Sequence, residues 1–90
     1  MSIYIVSYDL IKIKDYKKLQ QAIESADDWC KPLLSLYIIK SNYTAIEIRD
    51  KLRPFVDNDD KFLVSKLTSL KDESSYGLDK DTIKWINANL

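Results

Sequence analysis

The chain has 90 residues, 46% of them hydrophobic and 31% charged, and its 14 basic and 14 acidic side chains cancel to a formal net charge of zero. This length predicts one domain with a small core, and a single glycine with two prolines excludes a low-complexity chain. The neutral balance argues against tight non-specific binding of nucleic acid, although it leaves a local basic patch open.

Cysteine usage and hydropathy predict the compartment. The lone cysteine, Cys30, has no second cysteine with which to form an internal disulfide, as is usual in a reducing cytoplasm. We recognise no signal peptide at the N-terminus, and the apolar runs are far shorter than the ~20 residues of a membrane helix. We therefore expect a cytoplasmic protein with no membrane partner.

The first segment, from Ser2 to Leu10, is rich in β-branched and aromatic residues and predicts a central strand. This strand brings Asp9 to its C-terminal end. Both of its faces carry large apolar groups, because alternate residues point to opposite sides of a strand. We expect both faces to be covered, by the rest of the chain or by another subunit.

A helix is predicted next, at about residues 15–26, with Asp15 as its N-cap and an apolar stripe at helical spacing. Residues 29–41 are then typical of extended chain. Because Pro32 lacks an amide donor, it favours a strand edge or a bulge. This segment predicts one long strand bent near residues 32–35, or two short strands that share the bend.

The second half of the chain predicts three further elements. A helix over residues 44–52 follows a cap at Ser41 or Asn42, and Pro54 ends it near Arg53. Residues 57–60 form an acidic turn, and residues 61–67 form the last core strand. After a polar loop over residues 69–77, Asp79 caps a terminal helix whose apolar strip packs on the body or on a partner.

The predicted order is therefore strand, helix, bent strand, helix, strand and terminal helix. Helices on one face of a mostly antiparallel sheet give an α+β sandwich. Right-handed crossovers then lead to the ferredoxin-like arrangement. We assign residues 1–68 to this core and residues 69–90 to a loop and a C-terminal helix that docks on the core or on a partner.

Composition excludes most enzyme chemistry. The sequence has no histidine, one cysteine and one glycine, which removes histidine-based catalysis, zinc sites and glycine-rich phosphate loops. Asp9 remains as the candidate catalytic residue and metal ligand. Two copies of Asp9 that met across a two-fold axis would bind Mg²⁺ or Mn²⁺, and the ion would activate water for phosphodiester attack. The alternative is that Asp9 accepts backbone hydrogen bonds and caps the following loop.

Other polar clusters and single residues give further predictions. Lys12, Lys14 and Lys17 follow Asp9 and are candidates for nucleic-acid contact, while a solubilising role is the alternative for Lys17. The acidic run at residues 57–60 lacks the spacing of a calcium loop and predicts a solvated turn. The strand tyrosines favour core or interface packing over base stacking, and Cys30 is typical of a small buried residue.

The order and spacing of the elements over residues 2–68 resemble those of the small CRISPR-associated Cas-two family. The resemblance rests on the strand ending Val6-Ser7-Tyr8-Asp9-Leu10, the strand Leu34-Ser35-Leu36-Tyr37-Ile38-Ile39 and the helix Thr44–Arg53, followed by the acidic turn and the last strand. The sequence is closer still to short bacterial proteins often labelled SinR-like, which share that scaffold. The virulence-associated protein D ribonucleases have the same shape.

This resemblance implies a ferredoxin-like homodimer that works with RNA or DNA. In Cas-two proteins the aspartate that ends the first strand is the proposed metal ligand, and Asp9 matches it. The resemblance thus implies either a Mg²⁺- or Mn²⁺-dependent nuclease or a dimeric adaptor of an integrase. Two alternatives stay open, namely a non-catalytic protein-interaction module of the SinR-like type and a toxin ribonuclease resembling virulence-associated protein D.

Overall fold

A computed structural model describes residues 1–10, 16–68 and 74–89. The described residues form four strands and three helices, with one short 3₁₀ turn at Arg53–Phe55. The elements in chain order are β1 (Ser2–Asp9), α1 (Lys17–Glu24), β2 (Asp28–Leu33), β3 (Leu36–Ser41), α2 (Ala45–Leu52), β4 (Lys61–Leu67) and α3 (Lys80–Asn89). The predicted helix cap Asp15 lies outside the described residues.

The four strands form one antiparallel sheet in the order β2-β3-β1-β4. β1 is central, as its composition predicts, and pairs with β3 on one side and β4 on the other. One face of the sheet packs against α1 and α2. The buried residues of this main core are Tyr4, Val6, Tyr8, Leu19, Ile23, Tyr37, Ile39, Ile48 and Leu52. The protein is therefore an α+β fold with two helices layered on one sheet face.

The other sheet face is covered over only part of its area. A second cluster joins Ile3, Cys30 and Ile38, and Trp85 and Ile86 of α3 pack against it. The chain's own terminal helix thus covers this face on the side of β2. On β4, at the other edge of the sheet, Leu63 is 64% exposed.

The segment predicted as one bent strand is a hairpin of two strands, β2 and β3. This corrects the bent-strand element of the predicted fold and agrees with the alternative of two short strands. Residues Leu34 and Ser35 form the turn, and the pairing shifts register between Cys30 and Leu33. Because Pro32 has no amide hydrogen, it interrupts pairing within β2, which lies at an edge of the sheet. The hairpin satisfies the backbone groups that a single bent strand would leave unpaired.

Helix α2 begins with a capping box, which corrects the predicted cap. The Thr44 hydroxyl oxygen accepts from the Glu47 amide at 3.2 Å, and the Thr44 amide donates to the Glu47 carboxylate at 2.9 Å. Neither Ser41 nor Asn42 is the cap. Ser41 is the last residue of β3, and its hydroxyl oxygen accepts from the Tyr43 amide at 3.0 Å.

Replacing Thr44 by alanine should lower the free energy of unfolding by about 1 kcal/mol, because the Glu47 amide at the start of α2 loses its acceptor. Urea unfolding followed by circular dichroism measures this change. Thr44→Ser is the matched control, since it retains the capping hydroxyl. Equal stability of the two variants would contradict the role of the cap.

Three other boundaries agree with the sequence predictions. α2 ends at Leu52, directly before the turn that contains Pro54. β4 spans Lys61–Leu67, and Asp79 accepts from the Thr82 amide at 2.7 Å at the start of α3. None of the helices that the structure describes is long and apolar enough to cross a membrane.

Candidate functional site

Asp9 is the last residue of β1 and lies exposed at one end of the sheet. We call this the Asp9 end. It also holds the β2–β3 turn, the start of α1 and the acidic turn before β4. Tyr8 points into the helix-covered core, so Asp9 projects on the opposite face. Its partner across the β1–β4 pairing is Lys61, so an acidic and a basic residue stand opposite each other at the rim.

Among the residues that the structure describes, Asp9 belongs to no group of three or more possible metal ligands. Mg²⁺ takes about six oxygen ligands, usually from one or two carboxylates together with water and substrate phosphate. Among the described residues, one group of three or more possible metal ligands forms, and it consists of Asp57, Asp59 and Asp60. Asp9 is not a member of that group, and its cross-strand neighbour Lys61 is itself a cation. A metal at Asp9 would therefore take its other oxygen ligands from water, from substrate or from groups outside these described residues.

The acidic turn is held by its own hydrogen bonds. Ligand oxygens of Asp57, Asp59 and Asp60 lie within 4.8 Å of one another. The Asp60 carboxylate accepts from the Tyr16 hydroxyl at 3.1 Å and from the Asp57 amide at 2.9 Å. These bonds tie the turn to the start of α1, in agreement with the predicted turn. Exposed acidic groups are common without an ion, so the cluster does not by itself establish a metal site.

The predicted lysines can be located only in part. Lys12 and Lys14 lie outside the described residues. Lys17 is the first residue of α1 and is exposed at the Asp9 end, where it borders a shallow depression together with Tyr8 and Tyr16. The structure thus places Lys17 at the same end of the molecule as Asp9.

Three further basic residues converge on the Asp9 end, and the sequence analysis missed them. Arg49, Arg53 and Lys61 line a cleft of about 430 Å³, whose wall also includes Asn58, Asp57 and Asp60. We call it the arginine cleft. The Arg49 guanidinium also pairs with the exposed carboxylate of Asp50 at 3.0 Å. The four-residue spacing of Arg49 and Arg53 was the available signal, since it places both at one side of a helix end.

Cys30 does not have the environment of a nucleophile. It is 7% exposed, and burial raises the pKa of its thiol from 9.0 to about 11. A thiol that holds its proton at neutral pH is unreactive. This agrees with the predicted role as a small buried residue.

The strand tyrosines pack in the core, as the sequence favoured. Tyr37 is fully buried and donates a hydrogen bond to the Glu24 carboxylate, and burial with this contact raises the pKa of its phenol. The Tyr4 hydroxyl donates to the Tyr43 carbonyl at 2.7 Å, and the Tyr8 hydroxyl donates to the Leu34 carbonyl at 3.2 Å. These rings are therefore fixed by their packing and by their hydrogen bonds.

Comparison with known proteins gives no family. No protein-family model matches the chain, and no solved structure matches it at a significant level.

Proposed function

We propose that the chain is a small homodimeric protein of the Cas-two-like kind that associates with nucleic acid as an adaptor. Its fold is then ferredoxin-like. The support for that assignment is the order β-α-β-β-α-β, together with a sheet in which β1 and β3 lie between β4 and β2. Nucleic-acid association is the work that the sequence resemblance implies.

The observation that carries this proposal is the arginine cleft. Guanidinium groups bind phosphate through paired hydrogen bonds, and Lys61 adds a third positive charge on the same cleft. Together they exceed the two carboxylates of the same wall, Asp57 and Asp60, by one charge. Lys17 extends the basic side chains along the same end of the molecule. Because the whole chain is neutral, this patch acts locally, and we expect modest affinity that falls steeply with salt.

The surroundings of Asp9 favour an adaptor over a nuclease. Asp9 faces Lys61, and among the residues described it belongs to no group of three or more possible metal ligands. The ammonium group of Lys61 attracts a phosphate and the carboxylate of Asp9 repels one, so the pair restricts where a phosphate can bind on this rim. Asp9 is therefore assigned to the nucleic-acid surface, where it limits how closely a phosphate approaches Lys61.

Replacing both Arg49 and Arg53 by glutamine should weaken binding at every sequence and reduce the salt dependence. The logarithm of the binding constant falls linearly with the logarithm of the salt concentration. Loss of two phosphate contacts makes this negative slope shallower by about 2. Fluorescence anisotropy of a short labelled duplex DNA, and of RNA of the same sequence, measures both quantities. The matched control is Lys80→Gln with Lys84→Gln, which removes two exposed charges from α3. An equal loss in the control pair would contradict a specific role for the cleft.

The same assay with Asp9→Asn separates the alternatives. As an adaptor, the protein should bind without cleaving when Mg²⁺ or Mn²⁺ is present, and this variant should bind somewhat more tightly than wild type, because it removes a negative charge opposite Lys61. Metal-dependent cleavage that Asp9→Asn abolishes would replace the adaptor by a nuclease with metal held between two chains. Absence of binding by the wild-type protein would overturn the proposal and favour the protein-interaction module.

A further inference from the structure

The two edges of the sheet differ in a way that favours strand pairing at β4. At the β2 edge, Pro32 and the register shift between Cys30 and Leu33 break the run of backbone groups. At the other edge, β4 pairs with β1 without a shift from Lys61 to Leu67, and it contains no proline. Within residues 1–10, 16–68 and 74–89, β4 pairs with no strand besides β1.

The β4 edge is flanked by exposed apolar side chains on both faces of the sheet. Leu63 is 64% exposed on the sheet face opposite α1 and α2. On the helix side, Ile46 of α2 is 63% exposed, and it lines a groove of about 230 Å³ with Phe62 and Val64. Apolar groups on both sides of an unpaired strand mark a surface that an additional strand would bury.

We infer that β4 pairs with β4 of a second copy, antiparallel and about a two-fold axis at Leu63. The inference rests on the homodimer of the proposed function and identifies its interface. The axis places Leu63 opposite Leu63, Phe62 opposite Val64, and Lys61 opposite Ser65. One position further out, it places Asp60 opposite Lys66 at both ends. The two sheets become one continuous sheet of eight strands, with the two α2 helices adjacent.

The charges and side chains of β4 are complementary to those of a second β4, so a second copy binds this edge. An isologous interface requires one surface to fit itself, and here each end joins an acid to a base. The inner pairs join an aromatic to a β-branched residue, which is a favourable cross-strand pair. A shift of the axis to Val64 would place Lys66 against Phe62 and remove both charge pairs. The bonds from Tyr16 and Asp57 do not exclude Lys66 of the second copy, since a carboxylate offers about four acceptor positions.

A cysteine substitution tests the register directly. In Leu63→Cys, the two substituted positions lie opposite each other at about 5 Å between Cα atoms, within the range that a disulfide spans. Mild oxidation should give a covalent dimer in nearly full yield. Ser65→Cys is the matched control, because its two copies would lie about 14 Å apart at ~3.4 Å per residue. The wild-type protein contains only the buried Cys30, so its yield of covalent dimer after the same oxidation measures the background.

Light scattering after size exclusion gives the oligomeric state independently. The wild-type protein should have twice the chain mass, and Lys66→Glu should raise the dimer dissociation constant about tenfold by placing like charges opposite Asp60 at both ends. A dimer that does not cross-link through Leu63→Cys, or that cross-links equally through Ser65→Cys, would overturn this interface but leave the homodimer. A monomer would overturn both, while nucleic-acid binding is measured separately.

Discussion

Replacing Leu19 by alanine should lower the free energy of unfolding by about 2–5 kcal/mol. Leu19 of α1 is 1% exposed, and it belongs to the same main core cluster as Val6 and Tyr37 of the sheet. Alanine there removes buried apolar surface and leaves a cavity that the surrounding side chains fill only in part. A small domain has a total stability of about 5–15 kcal/mol, so this one change removes a large fraction of it.

The control for Leu19 is the same substitution at an exposed leucine. Leu34 is 89% exposed at the tip of the β2–β3 hairpin, and Leu34→Ala should change stability by less than about 0.5 kcal/mol. Urea unfolding by tryptophan fluorescence and circular dichroism measures both variants. A loss at Leu34 as large as that at Leu19 would mean that the core lies elsewhere.

Strands with strong local signals could be predicted from the sequence. β4 has the predicted limits, because its β-branched and apolar residues lie between an acidic turn and a polar segment. β1 is also found where its composition places it, at the centre of the sheet. In both cases the information is local, so no knowledge of the pairing partners was required.

The hairpin could not be predicted with its correct geometry, for a physical reason. Two-residue hairpin loops usually need positive φ angles and therefore glycine or asparagine. Here the turn is Leu34-Ser35, and Gly77 is the described residue that has a positive φ. A turn with negative φ angles tends to splay its strands, and the register shift near Pro32 accommodates this. The sequence thus lacks, at residues 34 and 35, the glycine or asparagine from which a hairpin is normally predicted.

The position of Asp9 in the candidate site could be predicted from the sequence, whereas Lys61 and the arginine cleft could not. Asp9 could be placed at a strand end because it terminates a clear strand. The residue opposite it, Lys61, depends on the order of strands in the sheet, which joins positions 52 residues apart in sequence. The arginine cleft likewise combines the end of α2 with the start of β4. Long-range pairing, which has no local signature, assembles this end of the molecule.

Alkylation of Cys30 by iodoacetamide at about pH 8 should be roughly 100-fold slower in the folded protein than in urea, from the thiolate fraction alone. A rise in the thiol pKa from 9.0 to about 11 lowers the thiolate population by that factor. Burial of the sulfur under Trp85 and Ile86 slows the reaction further. Mass spectrometry of timed samples gives both rates, and reduced glutathione in each buffer corrects for the effect of urea.

The same pKa fixes the sign of a pH dependence. The folded state keeps the Cys30 proton up to about pH 11, while the unfolded state loses it near pH 9.0. The folded state therefore binds more protons in this window, so the Cys30 contribution to stability is complete below pH 9 and declines as the pH rises towards 11. The raised pKa of Tyr37 acts in the same direction. In Cys30→Ala, the free energy of unfolding should therefore decline less steeply between pH 9 and 11 than in the wild-type protein. Identical slopes of unfolding free energy against pH would contradict a buried neutral thiol.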